Sequence, residues 1–169
     1  MYMGHIGIGL GARRISSAAP LWIYLVAALM PDFVVGVGGV IGVGAWANTY
    51  AHMLIGVFVE ALFMALICWL VCHSRIATLI TALLVVSHLA VDLITSHMPL
   101  WNGGPYLGLS LYNHHIGDFL LECAVILTGI FFYRKSLEVT QRRTWALVAM
   151  FVVLIGFQFL LDFVFNVTT

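Results

Sequence analysis

The sequence predicts an all-α fold: a polytopic transmembrane helical bundle of five spans, preceded by an N-terminal half-helix or re-entrant segment. Three observations predict it. The 169 residues are 63% hydrophobic and only 8% charged, with a mean hydropathy of +1.08, whereas a soluble domain carries about 25% charged residues. Five stretches approach the roughly 20 apolar residues needed to cross a hydrocarbon core. The positive charges fall only in alternate loops. The whole chain, 1–169, reads as a single integral membrane domain. Seven Lys and Arg balance seven Asp and Glu, so no net charge draws nucleic acid, and no nucleic-acid partner is expected.

Residues 2–12 are apolar but too short to span. Irregular backbone or a half-helix is tolerated at membrane depth only where protein buries it; a frayed terminus is the alternative. Gly4, Gly7 and Gly11 would let this segment approach a neighbour closely. The spans are expected near 18–40, 51–72, 76–97, 116–133 and 145–167. The glycine-rich run 35–44 reads as a loosely packed helix end. Arg13 and Arg14 precede the first span, Arg75 lies between the second and third, and Arg134, Lys135, Arg142 and Arg143 lie between the fourth and fifth. The positive-inside rule puts these in the cytoplasm, with loops 41–50 and 98–115 and the C-terminus on the outer side. In loop 98–115, Asn102-Gly103-Gly104-Pro105 signals a turn. Trp101, Tyr106 and Tyr112 suit the interface, and the loop either caps a cavity or rests on the headgroups. No cleavable signal peptide is expected. Cys68, Cys72 and Cys123 sit in apolar stretches without CxxC spacing, so free thiols are expected in place of disulfides.

Against this apolar background the ionisable residues carry the functional information, because lipid does not hold such groups without a use for them. His88-x-x-x-Asp92 and His114-x-x-x-Asp118 each place an imidazole and a carboxylate on one helix face. At about 1.5 Å per residue above the cytoplasmic arginines, His88 lies about 20 Å up, Asp92 about 25 Å, Asp118 about 24 Å and Asp32 about 21 Å. These four share a level in the outer half of the bilayer. His52, His97 and His114 lie further out, while His5 reaches only about 12–14 Å.

Imidazole and carboxylate are ligands for zinc, iron or manganese, and a divalent ion would neutralise acids that cannot stay ionised alone in apolar surroundings. The core ligands expected are Asp32, His88 and Asp92, then His52 and Asp118, then His114, His97 and His5. They would hold one to three divalent ions, zinc foremost. Glu60 and Glu122 are buried acids that would serve as general base or remain protonated and hydrogen-bonded. Plainer readings stand beside these. Pro31-Asp32 can end a helix, His88 and Asp92 can bond helices together, His114 can close an exposed loop, and Asp118 can complement a helix dipole. His73, beside Arg75, and His115 are set aside.

The chemistry expected of such a centre is metal-assisted hydrolysis. At the depth of the outer headgroups it would face an ester or phosphoester of a lipid or lipid-linked substrate. A transporter or proton/metal pathway would use the same residues as a route. A non-catalytic assembly or regulatory protein would use them to join helices.

The series His5, Pro31-Asp32, His52 and His88-x-x-x-Asp92, on successive apolar segments, resembles a family of uncharacterised bacterial inner-membrane proteins described as metal-dependent hydrolases. The resemblance covers roughly residues 1–125 and implies His5 as a ligand and a bacterial inner-membrane location, which would make the outer side, with the C-terminus, the periplasm. The order is also similar, more distantly, to the zinc-dependent phospholipase C and nuclease group, which is all-helical. His97 and His114-x-x-x-Asp118 match the continuation of that group's pattern, which implies Asp32 as a carboxylate bridging metals. Where the inner-membrane family carries a second acid after Pro-Asp, this chain has Phe33-Val34, and His52 lacks the polar neighbours found there.

Overall fold

The structure is a computed structural model and describes residues 3–164. Residue 2 and residues 165–167 of the expected segments, and the C-terminus, lie outside the described residues. The chain is almost wholly helical: α1 (Met3–Ala12), α2 (Leu21–Ala28), α3 (Met30–Val40), α4 (Gly44–Ala51), α5 (Leu54–Cys72), α6 (Arg75–Thr95), α7 (His115–Ser136) and α8 (Thr144–Phe159), the last running into a π turn at Leu160–Val164. Four helices are long and apolar enough to cross a membrane, α5, α6, α7 and α8 with its π turn. The bent pair α2–α3 makes a fifth if it counts as one span.

The exterior is apolar, and the largely apolar interior also buries several ionisable side chains. Only 11% of the α8 window is buried, and 28% of α5. Val40, Leu62, Leu70 and Val152 point outward, while His5, His88, Asp118, Glu122 and Gln158 are buried. The architecture is that of a multi-pass membrane protein, because only lipid makes such an exterior favourable.

Two elements depart from the expected layout. The span 18–40 is two helices bent by 70° at a break around Leu29. Pro31 accounts for the break: it lacks an N–H and its ring clashes with the carbonyl four residues earlier. The loop 41–50 contains a helix, α4, so His52 sits on a short link between α4 and α5 and α5 begins only at Leu54.

Residues 3–12 form the buried half-helix. Its first turn has backbone N–H groups with no intrahelical acceptor, and side chains of other helices supply them. Gly4 N–H donates to the Glu122 carboxylate of α7, and Met3 N–H donates to Gln158 Oε1 of α8 at 3.2 Å. α1 lies against α7 through glycines. A Cβ on Gly7 would meet Val125 O at 2.8 Å and Ile126 Cα at 2.9 Å, and one on Gly129 would strike the Gly7 backbone. The helices pack at backbone distance, the close approach that small residues permit in membranes. α1 also packs on α2 and α6, so it stands between α7 and the rest of the bundle.

The loop 98–115 folds over the C-terminal end of α6. Met98–Pro99 pairs antiparallel with Tyr106–Leu107. The N–H groups of Leu109 and Ser110 donate to the carbonyls of Leu93 and Ser96, at 2.9 and 3.4 Å, satisfying acceptors that a helix end leaves open. Gly108, at φ 128, is required there, since a Cβ would strike Ser96 O. The expected free thiols are observed.

Gly129→Leu should force α1 from α7 and lower stability by about 1–3 kcal/mol, the usual cost of overpacking. Gly11→Ala, whose added Cβ would find its nearest neighbour at 3.7 Å, should leave it unchanged. Denaturant titration in detergent micelles compares the two.

Candidate metal centre

Five side chains from four parts of the fold meet inside the bundle. His5 comes from α1, Asp32 from α3, His52 from the α4–α5 link, and His88 and Asp92 from one face of α6. Asp92 is the hub. Its Oδ1 lies 3.1 Å from His5 Nε2, and its Oδ2 lies 3.2 Å from His88 Nε2 and 3.6 Å from His52 Nε2. Asp32 Oδ1 lies 3.5 Å from His52 Nε2 and 3.7 Å from His88 Nε2. The His5 and His88 rings stack at 3.7 Å with 16° between planes.

His88 is fixed by the broken helix. Its Nδ1 lies 2.8 Å from the carbonyl oxygen of Ala28, the last residue of α2. A carbonyl only accepts, so Nδ1 carries the hydrogen and donates it. In a neutral ring, Nε2 then presents a lone pair toward two carboxylates, and it has no well-directed hydrogen bond among the described residues. Two anions facing a lone pair repel it. A cation between them reverses the sign.

The spacing suits a metal ion. Zinc bonds of about 2.0–2.2 Å in tetrahedral array set neighbouring ligand atoms about 3.3 Å apart, and the five N–O separations run from 3.1 to 3.7 Å. Two trios have ligand atoms all within 4.8 Å of one another: His5, His88 and Asp92, and Asp32, His52 and His88. Both use His88, whose one available nitrogen serves one ion at a time. The Ala28 carbonyl engages the far nitrogen of the ring in the way that acceptors hold metal-binding imidazoles in general. It was not readable from sequence, because nothing in residues 21–28 marks that carbonyl as an acceptor.

His52 lies outside the membrane-spanning helices. Burial pulls its pKa down, but the Asp32 hydrogen bond and the charges of Asp92 and Asp32 outweigh burial and hold it above the ordinary value.

The other expected ligands are placed elsewhere. His97 is on the wall of the cavity above the centre, 5.6 Å from the Tyr106 ring. His114 caps the start of α7 and is exposed. Asp118 is 1% exposed, and neither of its carboxylate oxygens has a hydrogen-bond partner among the described residues. It is level with the cluster by helical rise, yet its charged neighbours are Asp162 and His115. The intervening α1 explains the separation. Glu60 is buried on α5 and feels the charges of His52, His88 and Asp32, with Oε2 unpartnered among the described residues. Glu122 holds the start of α1 through Gly4.

A cavity of about 600 Å³ opens from Asp32, His52 and Asp92 toward the 98–113 segment. Asn48, Thr49, Ser110 and Asn113 line it. Sequence reasoning did not single these out, although Asn48 and Thr49 precede His52 by one helical turn. No protein-family model, curated protein or solved structure matches the chain.

Purified protein should carry at least one divalent ion per chain by elemental analysis. Asp92→Asn and His88→Gln should each lower its affinity at least about 10-fold, whereas His114→Ala and Asp118→Asn should retain it. Loading of the wild type should fall as pH drops through the imidazole range, because protons compete for the same nitrogens.

Proposed function

We propose that the protein is a metal-dependent hydrolase of a multi-pass membrane, acting on an ester or phosphoester bond of a lipid or lipid-linked substrate. The observation that carries the proposal is the convergence of His5, Asp32, His52, His88 and Asp92, three of which line a cavity, with the acid Glu60 near enough to feel the charges of His52, His88 and Asp32. Glue between helices needs pairs. Here one carboxylate meets three imidazoles, and one imidazole turns an open nitrogen toward two carboxylates.

The five converging residues are also those of the motif that resembles the inner-membrane hydrolase family. That coincidence supports zinc as the ion, the bacterial inner membrane as the location, and the Arg13-Arg14 end as cytoplasmic. A bound divalent ion would supply Lewis acidity and bring the pKa of a water molecule toward neutrality.

The chain's own residues do the rest. His88, held by Ala28, and Asp92 fix the geometry of the centre. Asp32 and His52 face the cavity and complete it on the substrate side. Glu60, with an oxygen not engaged in hydrogen bonding among the described residues, accepts the proton of the attacking water. The surrounding helices exclude bulk water, which strengthens each electrostatic contact.

Glu60→Gln should lower kcat on a cleaved lipid by about 10²- to 10⁴-fold while bound metal stays constant. Hydrolysis by wild type should cease with chelator and return with zinc. Product assays over a total lipid extract check both; turnover that is indifferent to chelator would remove the metal from the reaction.

A further inference from the structure

We infer that the cavity above the centre receives an uncharged, hydroxyl-bearing headgroup of a membrane amphiphile. The inference rests on the hydrolase reading for what happens to that headgroup, and on the cavity alone for what binds there.

Charge is the first argument. No Lys or Arg lines the cavity. The arginines of the chain lie at the opposite end of the helices, with Arg75 opening α6 and Asp92 one turn from its close, about 25 Å apart by helical rise. Asp32 and Asp92 carry two negative charges on the cavity side, and one divalent ion cancels them. Among the described residues, a phosphate would find no guanidinium or lysine ammonium on the cavity wall to meet it, the partners that anionic groups ordinarily demand. The nearby helix starts do not replace them. Leu54 N–H, opening α5, is taken by Leu100 O at 3.0 Å, and the first turn of α7 carries Asp118.

Hydrogen-bonding character is the second argument. Asn48, Asn113, Thr49 and Ser110 present carboxamides and hydroxyls that both donate and accept. Sugar or glycerol hydroxyls do the same. The His97 and Tyr106 rings lie 5.6 Å apart on the wall and offer faces to a ring-shaped polar group. A volume of about 600 Å³ is within the range of small-molecule sites.

The segment that forms the wall indicates an amphiphile over a free solute. Trp101 is 51% exposed, Tyr106 63% and Leu109 77%, all on the hairpin and loop pinned to the outer end of α6. Apolar and aromatic side chains at that level seat in the headgroup region, so the polar cavity is reached past a lipid-facing rim.

The test uses full-length, zinc-loaded protein in phosphatidylcholine nanodiscs, with lipid binding followed by native mass spectrometry. The probes are monogalactosyl diacylglycerol, phosphatidylglycerol and free galactose. The galactolipid should bind at least about tenfold tighter than phosphatidylglycerol, and Asn113→Lys should invert that order. Equal or preferential binding of phosphatidylglycerol would overturn the inference, as would binding of neither lipid. Free galactose competing as well as the galactolipid would overturn the assignment to a membrane amphiphile. Selective binding of the galactolipid without cleavage would uphold this inference and count against the hydrolase reading alone.

Discussion

The arrangement depends on one electrostatic constraint: two carboxylates and three imidazoles are held within reach of one another inside an apolar bundle. An isolated carboxylate in such surroundings either protonates or takes a cation. Asp92 has three imidazoles around it, and His88 has its other nitrogen committed to Ala28. The Ala28 hydrogen bond orients the ring so that Nε2 faces both carboxylates. That orientation suits the proposed role of His88 as a metal ligand, whose second nitrogen is ordinarily held by such an acceptor.

Several irregularities of the fold serve this constraint. The break at Leu29 exposes a helix-end carbonyl to His88 and turns Asp32 into the same space. The α4–α5 link brings His52 in from the side. The half-helix α1 delivers His5 from a start buried in the bundle, which is why Glu122 and Gln158 have to satisfy its first N–H groups. Gly7 and Gly129 allow α1 close enough to α7 for that bond to form. A straight five-span bundle would supply the α6 pair and little else.

Much of this was legible in the sequence, and the remainder has identifiable causes. Composition and span length identified the helical membrane architecture, because both reflect the cost of exposing backbone in lipid. The His88 and Asp92 pair was legible from helical spacing. Helical rise, however, gives height and not lateral position. It put Asp118 level with the pair, while the structure sets α1 between α7 and α6. The same arithmetic placed His52 too far out, because it assumed α5 began at residue 51 when the chain turns there instead. His5 looked too shallow when measured from Arg13, yet it stacks on His88 at the heart of the cluster. Its place in the motif, and not its height, is what marks it as a ligand in the sequence. The cavity lining of Asn, Ser and Thr left no pattern that a sequence alone distinguishes from ordinary loop polarity.

The central claim is that these imidazoles and carboxylates share an ion. X-ray absorption at the zinc edge on purified protein, loaded to one equivalent, tests it most directly. The account predicts a first shell of only nitrogen and oxygen at about 2.0–2.2 Å, with the multiple-scattering features of more than one imidazole, and loss of that shell in His88→Gln. A sulfur shell, or an unchanged shell in that variant, would contradict it.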